Sequence, residues 1–217
     1  MQFLNTNRLS FSVFLLMLIM SALLYADAPD IIPTDFDMEG VARDTMSKDS
    51  LIMLIPGIFI GVVLLTNLFV SISPQKFSMP NSKHAIDIIL FGIGGMLCFL
   101  HFALLMNGGD FVFFTRYFSY GMAVFSVVVG NVFGKTERNF IIGLRLPWTI
   151  DSEANWKATH RFAGRLMVGM GALLFISNSI VANMWVTIAM TVAPVLLAVP
   201  YSYAYYANHE EKTQAAE

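Results

Sequence analysis

One cysteine in 217 residues, Cys98, excludes an intramolecular disulfide framework. Charge is scarce as well: 13% of residues are Asp, Glu, Lys or Arg, against 56% hydrophobic, and mean hydropathy is +0.65. That much apolar surface exceeds what a soluble domain of this length hides, so the composition points to a membrane protein. The four histidines, His84, His101, His160 and His209, form no His-Glu-x-x-His motif, and Gly-x-Ser-x-Gly is absent. A lone cysteine inside an apolar run is a poor nucleophile. No enzyme is expected, and no cofactor or metal. Gly130 to Thr136 looks like a phosphate-binding loop, but it follows a membrane segment instead of a strand and has one residue too few between its glycines.

What is present is a series of apolar runs long enough to cross a bilayer, which takes about 20 residues at roughly 1.5 Å each. They cover Leu9 to Ala26, Leu51 to Ser73, Ile86 to Met106, Phe111 to Phe133, Phe162 to Val181, and Met184 to Tyr206. The expected fold is all-α, a polytopic integral membrane protein with six transmembrane helices. The first run could be a signal peptide, but Leu24 is larger than the residue usual three before a cleavage site, so a retained helix is expected. With the N-terminus cytoplasmic, ten Lys and Arg fall on the inside, among them Arg8, Lys76, Lys135, Arg145, Arg161, Arg165 and Lys212; only Arg43 and Lys48 fall outside. The inside-positive rule then puts both termini in the cytoplasm.

This orientation gives each loop a side. The outer loop Asp27 to Asp49 holds seven acidic residues against two cations, a net charge of −5 that the overall −2 conceals. Its Asp35, Asp37 and Glu39 are candidates for attracting a cationic ligand; a solvated acidic face is the competing reading. The turns at Asn107 to Asp110 and near Asn183 are short, so helices three and four, and five and six, are expected as antiparallel neighbours. Residues 1–80 form an expected two-helix region with an acidic outer loop, and 81–217 a four-helix domain with an inner loop at 134–161.

Polar residues within the spans carry weight because burial in lipid is costly. His101 and Arg116 fall at nearly the same depth on neighbouring helices, which allows a polar outer vestibule with Asp110; snorkelling of Arg116 to the headgroups is the alternative. Gly57, Gly61, Gly130 and Gly134 read as positions of close helix approach within the chain, with a dimer interface as the alternative. No carboxylate lies in the middle third of any run and no inverted repeat is visible, which weighs against the alternative of a small-solute transporter or channel.

The inner loop is chemically dense. Pro147 disfavours the α conformation for Leu146, so Gly143 to Trp148 is expected extended or turned. Thr149, Asp151 and Ser152 are each plausible N-caps for a following helix. Glu153 and Lys157 form an i,i+4 pair in the favourable order. Trp156, His160 and Gly164 share one helical face that leads into the fifth run, as an interfacial helix that turns into a span or continues as one. Interfacial belt tryptophans and anchoring arginines are the simpler reading of Trp148, Trp156 and their cations; a protein-binding patch is the sharper one.

The stretch Asn139 to Ile150 with Trp156 to Gly164 resembles the signature of the SdpI family, bacterial membrane proteins that protect a cell against a secreted antimicrobial peptide. The chain keeps Gly143, Arg145, Pro147, Trp148, Thr149, Trp156, Thr159, His160 and Gly164, and has Leu146 where a threonine is usual. Ile32 to Gly40, then Ser47-Lys48 and Pro56, resembles the uncharacterised domain that commonly precedes that signature, with Asp35 where a histidine is common. The resemblance implies an immunity protein of the bacterial inner membrane. Its implied partners are membrane lipid, a peptide toxin and a cytoplasmic winged-helix repressor, with no direct nucleic-acid contact. The implied partner site comprises the kept residues with Asn131, Asn139 and Arg161; Asp35, Asp37, Glu39, His101 and Arg116 form the outer face.

Overall fold

Backbone polar groups facing lipid must bond within their own segment, so the apolar runs fold as helices. The computed structural model describes residues 7–37, 39–72, 83–139 and 142–209. Lys76 and Lys212 of the charge count lie outside the described residues. In chain order the elements are α1 Arg8–Leu24, the strands β1 Ile31–Phe36 and β2 Ala42–Ser47, α2 Lys48–Ile72, α3 Lys83–Met106, α4 Phe111–Phe133, α5 Pro147–Asp151, α6 Glu153–Ile180 and α7 Met184–His209.

Among the described residues five helices, α2, α3, α4, α6 and α7, are long and apolar enough to cross a membrane, which makes this a multi-pass membrane protein. The expected count of six is met in five; α1 is apolar but has 17 residues. Its length is about 26 Å, against a hydrocarbon core of about 30 Å. The helix ends at Leu24, and the polar segment leading to the hairpin follows its C-cap, Tyr25.

That segment departs from its expectation as a loop. β1 and β2 pair antiparallel, Ile31 opposite Ser47 and Phe36 opposite Ala42, with irregularities on either side of Asp35. Ile32 is fully buried and anchors the hairpin to the apolar cluster of α1, α2 and α3. Gly40, at φ +82°, takes the left-handed turn conformation that favours glycine. Asp37 Oδ1 accepts from the N–H groups of Glu39 (3.0 Å) and Val41 (2.8 Å), an aspartate-stabilised turn. Lys48, at the start of α2, bridges Asp30 at 2.8 Å and lies 4.6 Å from the Tyr25 ring centroid. The Lys48 ammonium holds the exposed Asp30 carboxyl below its usual range.

The central helix is α3, with α1 and α2 on one side and α4 on the other. Polar side chains fasten α1 to its neighbours: Ser10 donates to Asp87 (3.3 Å), Ser21 bonds His101 (2.8 Å), and the amides of Asn7 and Asn67 of α2 exchange bonds at 3.2 and 3.1 Å. α3 packs on α4 and α6 on α7, as the short turns require, and α4 packs on α6 across the longer inner loop. Gly130 of α4 and Gly164 of α6 meet backbone to backbone; a Cβ on Gly164 would lie 2.6 Å from the Gly130 carbonyl oxygen. The close-approach reading therefore holds at Gly130 and at Gly134, whose Cβ would lie 2.9 Å from Arg161 Cα. Within the chain no helix approaches Gly57 or Gly61, which have nothing within 4 Å of an added Cβ. The hairpin and the turns at 107–110 and 181–183 share one end of the bundle, and the described residues of the inner loop, 134–139 and 142–152, lie at the other.

Candidate functional site

At the loop end the residues singled out in the sequence converge, and most of them point inward. α5 opens on Pro147, whose missing N–H costs nothing at a helix start, and Leu146 before it is extended at φ −99°, ψ 153°. Pro147 and Trp148 are already helical, two residues earlier than expected. Of the three N-cap candidates Ser152 takes the role for α6, its Oγ accepting from Asn155 N–H at 3.2 Å. The anticipated interfacial helix and the fifth span are one helix, Glu153–Ile180, and the Glu153–Lys157 ion pair forms on it.

Trp156 is fully buried and donates from Nε1 to the Thr136 carbonyl at 2.9 Å. His160, also fully buried, stacks on it with centroids 4.0 Å apart. The Leu144 N–H donates to His160 Nε2 (2.9 Å), so the ring proton sits on Nδ1 and is donated to the Trp156 carbonyl at 2.8 Å. Both nitrogens of a neutral imidazole are thereby satisfied. Gly143 crosses over this pair at φ +128°, and a Cβ there would lie 2.5 Å from His160 Nε2 and 2.7 Å from the Trp156 ring. Glycine is required there twice over, for conformation and for space.

The other kept polar residues extend this lock. Thr149 Oγ1 donates to the Leu144 carbonyl (2.7 Å) and accepts from Leu146 N–H (2.9 Å), closing the loop on itself. Trp148 Nε1 donates to Ser202 Oγ (2.9 Å) and Asn155 Nδ2 to the Ser202 carbonyl (3.2 Å), tying loop and α6 to α7. Thr159 donates to Asn155 Oδ1 at 3.0 Å. Asn139 Oδ1 accepts from Ile142 N–H at 2.7 Å, and Arg138 donates at 2.7 Å to the carbonyls of Ile150 and Asp151 at the end of α5. Asn139, Thr149, Trp156, Thr159, His160 and Gly164 are buried; Asn131, Arg145, Pro147 and Arg161 are exposed and Trp148 is half-buried. Thr136, Asn155 and Ser202 were missed as members of this network. Asn155 and Ser202, polar residues on apolar helix faces, were the available signal; the Thr136 contribution is a backbone carbonyl and left none.

At the hairpin end Asp35 and Glu39 are exposed and Asp37 is half-buried. Thr34, Asp35 and Asp37 form one wall of a groove of about 460 Å³, and Phe111, Phe114 and Trp185 stand among its apolar residues. Thr115, 2% exposed, also lines it, with a hydroxyl that has no hydrogen-bond partner among the described residues. The vestibule expected from His101, Arg116 and Asp110 is not assembled. His101 bonds Ser21 of α1, Asp110 accepts from Val112 and Phe113 N–H as the N-cap of α4, and Arg116 is half-buried with no ion pair among the described residues.

Comparison with known proteins agrees with the motifs. Residues 135–204 match the SdpI/YfhL protein family, and residues 13–60 match a domain of unknown function, DUF1648. The chain is 25% identical over 206 residues to the immunity protein SdpI of Bacillus subtilis (strain 168), covering 92% of this chain and 95% of the relative. No solved structure matches. The first match covers most of the loop lock with α6 and most of α7, and the second covers most of α1, the hairpin and the first half of α2.

Proposed function

We propose that this chain is a membrane immunity protein that protects a bacterial cell against a secreted peptide toxin. The observation that carries the reading is similarity to an immunity protein along nearly the whole of both chains. The hairpin end supplies a surface that suits peptide capture, with an acidic wall, an aromatic wall and a groove between them. A cationic, amphipathic peptide would gain charge attraction at the rim and apolar burial inside. In this reading α1 is a sixth span, held by its buried polar contacts to α2 and α3, both termini are cytoplasmic, and the hairpin faces outward.

The loop end has a second part in this reading. With Trp156 and His160 buried, a cytoplasmic repressor would meet Arg145, Pro147 and the open edge of Trp148. The lock behind them holds that edge in place, which is what a binding surface needs.

Protection is tested by expressing the chain in a sensitive cell and measuring survival over graded toxin. Survival equal to that of empty cells at confirmed membrane abundance contradicts the reading. Orientation is tested with cysteines at exposed positions. Arg43→Cys should react with a membrane-impermeant thiol reagent in intact cells, and Lys135→Cys only after the membrane is opened. Cys98 is buried, so its background is low. Reversed labelling would overturn the orientation and leave the family assignment standing.

A further inference from the structure

The face where α4 and α6 meet carries a furrow unrelated to the lock or the hairpin groove. At the loop end, Asn131, Gly134 and Lys135 face Arg161, Arg165 and Val168 around a recess of about 420 Å³. Farther along the same helices, Val124, Val127 and Val128 face Ala172, Phe175 and Ile176 across an apolar recess of about 390 Å³. The two recesses are in line. Val124, Val127, Val128 and Asn131 follow helical spacing on α4, as do Arg161, Arg165, Val168, Ala172 and Phe175 on α6. Glycines make the furrow: Gly130, Gly164 and Gly171 let the backbones touch at its floor, so the flanking side chains stand as walls.

Three observations fix what such a furrow accepts. Lys135, Arg161 and Arg165 are exposed, make no ion pair with a described residue, and share their recess with no acidic side chain. Apart from Asn131 the remainder of the furrow is apolar, so a soluble anion would leave most of it unfilled. From Lys135 to Val124 the furrow runs about 16 Å at 1.5 Å per residue, which is one leaflet of a core about 30 Å thick. Anchoring by the inside-positive rule requires cations near the interface, not cations gathered at the mouth of an acyl-sized channel.

We propose that this furrow is a binding site for an anionic membrane phospholipid, its phosphate held by Lys135, Arg161 and Arg165 and one acyl chain lying between α4 and α6. Basic recesses between membrane helices suit such headgroups, and guanidinium groups match phosphate geometry. The lipid bridges the two helices that the glycines bring together. The site does not depend on the immunity reading.

The test is native mass spectrometry of the purified full chain in detergent with phosphatidylglycerol or phosphatidylcholine of the same acyl chains. Retention of phosphatidylglycerol should be at least about tenfold greater, since each cation near an anionic headgroup contributes measurably. The combined Lys135→Gln, Arg161→Gln and Arg165→Gln variant should lose that preference. Ala172→Trp keeps every cation, fills the furrow from an exposed position, and should lower retention of both lipids; it decides the matter if the triple variant is not recovered. Equal retention of the two lipids by the wild-type chain, or unchanged retention in Ala172→Trp, overturns the proposal. So does displacement of the lipid by an equal concentration of inorganic phosphate, which would make this an anion site, or a dimer mass in place of bound lipid.

Discussion

At the loop end of the bundle Trp156, His160, Thr149 and Asn155 turn inward and bond one another, the backbone or α7, whereas at the hairpin end Asp35 and Glu39 stand in the open, Asp35 on the wall of a groove. Both ends were singled out by unusual polar composition, yet burial separates their roles. A buried, fully bonded indole and imidazole rigidify what they touch; an exposed carboxylate beside apolar walls is available to a ligand. Polar density in a membrane protein therefore marks two different things, and only side-chain direction tells them apart.

The contrast between the two ends breaks first at Trp156. Trp156→Ala should cost about 3 to 5 kcal/mol, the range for a buried aromatic truncated to alanine, and remove most folded protein from the membrane. Gly143→Val, which strains the backbone and collides with both rings, should act in the same direction. Thermal unfolding in detergent and membrane abundance are the measurements. Normal stability in both variants would mean that the lock is not structural.

A smaller loss is expected for His160→Phe, which keeps the ring stack and leaves the Leu144 N–H and Trp156 carbonyl without their partner, about 1 to 3 kcal/mol. Arg145→Ala should recover near-normal abundance and lose repressor capture in a membrane pull-down; Trp148→Ala, which also removes the bond to Ser202, should lose capture with a smaller fall in abundance than Trp156→Ala. Loss of abundance equal to that of Trp156→Ala would fold these residues into the lock and remove the surface role.

The smallest effect lies in the hairpin. Asp30 has its folded value lowered by Lys48, so the pair stabilises above the ordinary aspartate range and its contribution fades as pH falls through the lowered value. Melting temperatures of the wild type and Asp30→Asn should differ slightly at neutral pH and converge in acid. A gap that widens in acid would contradict the pairing.

The helices were legible because lipid leaves the backbone few alternatives, and the extended Leu146 followed from the ring of Pro147. The hairpin was not: Asp35 and Asp44 are poor strand residues, and the pairing is set by Ile32 reaching the core and by the turn at Asp37 and Gly40. Trp156 and His160 stood out by residue type, but their inward direction depends on backbone partners at Thr136 and Leu144 that carry no side-chain signal. Likewise Gly57 and Gly130 look alike in sequence, and only the neighbour opposite, empty space or Gly164, distinguishes them.

The most direct measurement is toxin survival of cells carrying Asp35→Asn, Asp37→Asn and Glu39→Gln together, with abundance matched to wild type. Asparagine at position 37 keeps an oxygen for the turn. Protection should fall, and fall further at low salt, because exposed charges are screened beyond about 8 Å at physiological ionic strength. Unchanged protection at matched abundance and at every salt concentration would show that the acidic hairpin is not where the toxin is met.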